Sequence, residues 1–356
     1  MENIINKWGY DLNVLKKGIE NGKRLLQKTT LKKSQIEHIK KEILILEGFL
    51  QGNYNVEDPK EKTIYTFKEL KIATLNQMKN IYYTLGPELI NWLIILREEG
   101  IFNEYYHFND DLVPIEAQLE YTLKNYELHS KILLPYAKDL FYNNPTHIQI
   151  KEYFECTSYC EYFKILDKSL LLIDPTEEGF ILNHETEHYI ERSMNLPNND
   201  PYLELGSIYF ELLFNDLYYE KEGVLIPCKI EDAEVDLDML VDYLIVIKKF
   251  AQTNFQVSNE DFKNIIVEKL QVIPEKIKEY LQEGIENDYM EDNIIYLISL
   301  LKAIELRNIT LTSKQDSFDI LNPFLSNKKL IFNPSKKLFK IYEDYVEEIK
   351  QKSLKK

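Results

Sequence analysis

The chain has 356 residues, 44% of them hydrophobic and 29% charged, proportions that exclude wholesale disorder and a fibrous repeat. Its formal net charge of −16 excludes a binder of phosphate backbones, because nucleic-acid affinity is carried by clustered Lys and Arg. Only 11 Gly and 12 Pro accompany long runs rich in Leu, Ile, Glu and Lys, which favours helices over a many-turned sheet protein.

The opening MENIINKWGYDL has no basic region followed by an apolar one and no small-residue cleavage site, so a cytosolic chain is expected. From Leu15 to about Gly52 apolar residues recur at three- and four-residue steps. This predicts a helical hairpin broken near Thr29 and Thr30, with Thr30 or Ser34 as the cap of its second helix. Lysines gather near Lys32, Lys33 and Lys40 and from Lys336 to Lys356, but interleaved Glu and Asp make these solvated helix faces. Another helical region runs from Phe67 through Arg97, with Gly86-Pro87 as an internal break. Its run LINWLIIL meets Arg97 before the roughly 18 apolar residues needed to cross a bilayer, so no membrane partner is expected.

Pro114 precedes a helical pattern from Ile115 to Asn143, which NNPTH ends. KSLLLIDP is a short apolar run closed by Asp174-Pro175; it suits a strand and is the one candidate for sheet. EEGFILNHETEHYIERSM is again helical, with acidic residues in its first turn, and PNNDP terminates it. PYLELGSIYFELLFNDLYYEKEG follows at once as a second helix and stops near Gly223. Amphipathic regions from about Asp236 to Ala251 and from Asp261 to Gly284, a more apolar one from Asp292 to Leu306, and a last helix over 333–353 complete the pattern. The fold class read from this is mainly α, a multi-helix body with at most a small β element beside the site. The expected division is a helical scaffold or lid over 1–145, a central region over 146–310 and a C-terminal helical segment over 311–356. Cys156, Cys160 and Cys228 cannot all pair. Cys156 and Cys160 lie one turn apart and read as buried thiols in preference to a metal pair.

One chemical signal stands out, His184-Glu185-Thr186-Glu187-His188, an HExxH sequence. Residues at i and i+4 share a helix face, so both imidazoles can reach one ion. Glu185, one step round the helix from His184, is placed to take a proton from water at the metal's open side. Apolar residues on both flanks put this helix in an interior, where two histidines need partners and a metal satisfies both. A catalytic zinc needs a third protein ligand. On the next helix Glu204, Ser207 and Glu211 form ExxSxxxE, with all three side chains on one face.

HExxH followed by a helix reading ExxSxxxE resembles the active site of the thimet oligopeptidase and oligoendopeptidase F family of zinc peptidases. The resemblance implies that His184, His188 and Glu204 bind one zinc ion and that Glu185 is the general base. It makes Glu211 the acceptor that fixes the tautomer of a ligating His. It covers mainly residues 180 to 215, and three features depart from the family. Glu187 stands where the family has Gly, a change expected to alter how closely the two helices approach. The connection from His188 to Glu204 is shorter than usual, and so is the whole chain. Glu191, on the face of the two histidines, and Glu211 are the alternative third ligands.

The segment NDYMEDNIIYLISLLKAIEL resembles the family's late tyrosine-bearing helix and nominates Tyr289 and Tyr296 as donors to the oxyanion. His38, His107, His129 and His147 have no ligating spacing. The implied activity is hydrolysis of short peptides, and an edge strand at KSLLLID would let an extended peptide add by backbone hydrogen bonds. An inactive relative that binds peptides or a partner, and a purely structural helical protein, are the other readings.

Overall fold

A computed structural model describes residues 2–28, 30–54, 65–99, 112–151, 158–177, 180–196, 203–226, 230–287, 289–326 and 335–354; the side chains described exclude those of 2, 230–238, 287, 289 and 291. Helix α1 (Glu2–Ile5) leads to α2 (Leu12–Leu25), which the Asp11 side chain caps by accepting from Asn13 N–H at 2.8 Å. In α3 (Lys33–Leu50) the cap is neither Thr30 nor Ser34. It is Lys32, in extended backbone, whose N–H donates to the Gln35 side chain at 2.9 Å. The α2–α3 hairpin buries Leu15, Ile19, Ile43, Leu46 and Phe49 together with Phe163 and Leu170 of the sheet described below.

Helix α4 (Phe67–Glu98) opens on a reciprocal Thr66–Glu69 capping box. It kinks at Gly86 (φ 75°, ψ 154°), as the Gly-Pro pair predicts, because Pro87 lacks an N–H and drives the residue before it out of the helical region. The pattern over 115–143 is not one helix. It forms α5 (Ile115–His129), a break at Ser130 in extended backbone, α6 (Leu134–Lys138) and a π turn at Asp139–Asn143. Asp316, 186 residues after Ser130, accepts from Ser130 Oγ at 2.6 Å and from the Lys131 and Ile132 N–H groups at 2.7 and 3.3 Å. Those N–H groups are the ones a continuing helix would have used.

Among the described residues the sheet has three strands, β1 (Ile148–Ile150), β2 (Tyr159–Phe163) and β3 (Lys168–Ile173), in the order β1-β3-β2. β1 runs parallel to β3 with Ile148 opposite Leu171, and β2 runs antiparallel with Tyr159 opposite Leu172. KSLLLID is therefore the central strand and not an edge. It is flanked on both sides, by β2 along Lys168–Leu172 and by β1 along Leu171–Ile173, and its continuously buried run from Ser169 to Ile173 is what a covered central strand requires.

Helices α7 (Ile181–Ser193) and α8 (Leu205–Glu222) follow, and Gly223 ends α8 in the left-handed region with its N–H on Tyr219 O. After α9 (Ile230–Gln252), the region expected over 261–284 divides into α10 (Asn259–Leu270) and α11 (Ile277–Asn287), because Gln271 turns left-handed at φ 53° and Pro274 follows. Next come α12 (Tyr289–Thr312), α13 (Ser317–Leu325), which the sequence pattern did not show, and α14 (Lys336–Ser353). Asp316 caps α13 by accepting from Phe318 N–H at 3.0 Å.

The described residues thus form a mainly α chain with one small sheet. α7 lies between β3 and α8, and α8 is packed by α5 on one side and α12 on another. Leu93, Phe141, Leu171, Ile190, Phe210 and Ile304 join one continuous core, each fully buried apolar side chain contributing about 1.5–3 kcal/mol. Arg307 of α12 pairs with Asp216 of α8 at 2.6 Å and Glu348 of α14 at 2.7 Å, tying these three helices. No helix among the described residues is long and apolar enough to cross a membrane.

Candidate metal centre

Helix α7 is buried from Ile181 through Glu187, so each polar side chain on it must find a partner. Thr186 Oγ1 donates to Leu182 O at 2.5 Å, and Tyr126 OH of α5 donates to Glu187 Oε2 at 2.7 Å. Helix α8 is apolar on nearly every face and buried from Leu205 to Asn215, which places it in the interior beside α7.

The two imidazoles on α7 meet edge to face with ring centres 5.0 Å apart. His184 Nε2 lies 3.3 Å from Glu204 Oε2, and His188 Nε2 lies 3.2 Å from the same oxygen. These three residues form a group that can hold a metal ion, their ligand atoms all within 4.8 Å of one another. Glu204 stands immediately before α8, at its N-cap position, and not within the helix. Ser207 Oγ donates to Glu204 O at 2.9 Å and to its carboxylate at 3.3 Å. Burial opposes ionisation of Glu204, but the His188 and His184 imidazoles outweigh it and hold the carboxyl well below the usual range.

Glu211 is not in that group. Its Oε2 lies 3.3 Å from His184 Nδ1, on the far side of the ring from Glu204. Glu191 is also outside the group and lies against Gly206 at the start of α8. Burial, with the charges of Glu187 and Glu204, pushes the Glu191 carboxyl well up; burial also pushes Glu187 up to about 7, against the Tyr126 hydrogen bond. Glu185 is buried, its carboxylate close enough to act on the hydroxyl of Tyr296 and the thiol of Cys160.

Of the two nominated tyrosines, Tyr296 on α12 reaches the group. Burial and then the carboxylates of Glu204, Glu185 and Glu211 push its hydroxyl far above the usual range. Tyr289 opens α12, and its side chain lies outside the described residues, as do Cys156, Cys228 and His107. His147 has other partners, Tyr189 OH at 3.0 Å and Lys168 Nζ at 3.1 Å. His38 sits 3.1 Å from Glu42. Two residues of the neighbourhood escaped the sequence reading, Tyr126 and Gly206. The buried Glu187 demands a donor, but nothing local points to a tyrosine 61 residues away.

No family model matches the chain, and no curated protein matches it. Among solved structures the chain is similar to a candidate peptidase from Chlamydophila abortus, with a TM-score of 0.47 and 12% identity over 90% of this chain and 61% of that one. The chain thus spans about three fifths of that protein's length.

Proposed function

We propose that this chain is a zinc-dependent metallopeptidase hydrolysing short peptides. The observation that carries the reading is the convergence of His184 Nε2 and His188 Nε2 of α7 with the Glu204 carboxylate at the start of α8, with Glu185 next to His184 on the same helix. Two imidazole nitrogens and one carboxylate oxygen fit a catalytic zinc, which takes three protein ligands and keeps one open position. The ion, when bound, supplies Lewis acidity that polarises a scissile carbonyl and acidifies water beside it.

The chain's own groups then have definite tasks. Glu185 takes the proton of the attacking water and returns it to the leaving amine. Glu211 accepts from His184 Nδ1–H, which would leave the Nε2 lone pair available to hold a metal. Tyr296, held protonated by its surroundings, donates to the oxygen that gains negative charge. Tyr289 shares this nomination from the sequence alone. On this reading residues 146–310 form the catalytic region, 1–145 the scaffold beside it and 311–356 the closing helical segment, and the chain works in the cytosol. The preference for short peptides follows the resemblance to the thimet oligopeptidase and oligoendopeptidase F family.

Metal analysis of protein purified without a histidine tag, combined with cleavage of a quenched fluorescent peptide mixture, tests the proposal. About one zinc per chain is expected. Glu185→Gln should keep the metal and lose roughly 10²–10⁴-fold in cleavage rate. Zinc without cleavage in the wild type would identify an inactive binder, and no stoichiometric zinc would leave a structural helical protein.

A further inference from the structure

Helices that share a metal must run close enough for short side chains to meet at one point. α7 and α8 approach where Gly206, in the first turn of α8, faces Glu187 and Glu191, one turn apart on α7. A Cβ on Gly206 would stand 2.1 Å from Glu191 Oε1, 3.2 Å from Glu191 Cδ and 3.2 Å from Glu187 Cγ. Gly206 lies within a helix and is absent from the glycines with positive φ, so backbone freedom is not what it supplies. Alanine would favour the helix by about 1 kcal/mol, so the missing side chain itself is what the site uses.

We propose that Gly206 is a positioning residue of the metal centre, its bare backbone setting the separation of α7 and α8 at which Glu204 reaches an ion held by His184 and His188. The inference rests on the reading that these three residues bind a metal. Both neighbours resist the intrusion, one through a tether and the other through burial of the atom that would be struck. Glu187 is tethered through Oε2 to Tyr126 OH at 2.7 Å, which keeps its Cγ against the notch. Glu191 Oε1 itself is enclosed, without solvent contact or a hydrogen-bond partner, so a methyl at Gly206 must displace that atom or push the helices apart. Farther along, the 3.3 Å contact between His184 Nδ1 and Glu211 pins the same two helices. A wedge at Gly206 therefore opens the pair at its Glu204 end, two residues away.

The test is zinc affinity of the full chain, measured by competition with a chromophoric chelator. Gly206→Ala should weaken zinc binding about tenfold, the scale on which residues supporting a metal ligand act. Glu191→Ala removes the atom that the new methyl would strike. Gly206→Ala/Glu191→Ala should therefore bind within about threefold of Glu191→Ala alone, a coupling that independent sites do not show. Gly284→Ala, whose Cβ would meet nothing within 4 Å, should bind as the wild type does. With Co2+ in place of zinc, the visible absorption of Gly206→Ala should weaken and that of the double variant recover, reporting the geometry of the ligands and not only their stability.

Wild-type affinity in Gly206→Ala, or no recovery in the double variant, overturns the proposal. If Gly206→Ala alone fails to fold, the double variant decides by the same criterion. A wild type that binds no zinc overturns the metal reading itself, an outcome distinct from a zinc-binding wild type matched by Gly206→Ala.

Discussion

Replacing Glu211 isolates the part played by the contact behind a ligand. Its Oε2 is 3.3 Å from His184 Nδ1, and both residues are 1% exposed, so water cannot substitute for the carboxylate. Glu211→Gln keeps the volume and one acceptor oxygen but removes the charge. Glu211→Leu removes the acceptor as well and leaves a buried N–H without that partner. Loss of such support costs about 10–100-fold in metal affinity, or about 1.4–2.7 kcal/mol. Because the contact is at the long end of hydrogen-bond range, Gln should fall near the lower figure and Leu near the upper one. Chelator competition at neutral pH, with circular dichroism to confirm that each variant is folded, measures both. If folded Glu211→Leu binds zinc as tightly as the wild type, the tautomer argument is wrong and Glu211 is only a buried acid that the histidine happens to meet.

Tyr296→Phe deletes the hydroxyl proposed to donate to the reacting oxygen while keeping the ring. It should lower kcat by roughly 10²–10³ with KM within about threefold and zinc content unchanged; an unaltered kcat would remove Tyr296 from the chemistry. His147 tests a different linkage. Burial, aided by the charge of Lys168, pushes its pKa down from 6.5 to about 4. Between those two values the unfolded chain binds a proton that the folded chain does not, so stability falls as pH drops from 6.5 towards 4, by at most about 3 kcal/mol. In metal-free protein the drop in melting temperature from pH 7 to pH 4.5 should be smaller for His147→Gln than for the wild type, and equal drops would refute the assignment.

Helical periodicity made the class of the fold legible, and the i, i+4 spacing of His184 and His188 made their shared face legible, because both depend on neighbours in sequence. Features decided by distant partners were hidden. The break at Ser130 is made by Asp316, and the central position of β3 is made by β1 and β2, strands of three and five residues too short to show a period. α13 carries Pro323, which reads as a helix breaker, yet the Asp316 cap starts the helix well before it. At the site, the Glu at position 187 where the resembled family has Gly was visible, but the bare residue opposite it at 206 had no significance until the helices were brought together. Tyr296 could be nominated only by analogy, since 25 tyrosines share its composition signal.

Asp316 uses one carboxylate twice, starting α13 and holding the corner between α5 and α6. α5 carries Tyr126, the hydroxyl that steadies Glu187 on α7. During vectorial synthesis, then, the elbow flanking the centre waits for a residue made 186 positions after Ser130, and the loop between them must close before that elbow is locked. The nascent chain can have both histidines and Glu204 outside the ribosome while their support is unfinished, so assembly of this three-residue group belongs to the end of folding and not to the moment its members emerge.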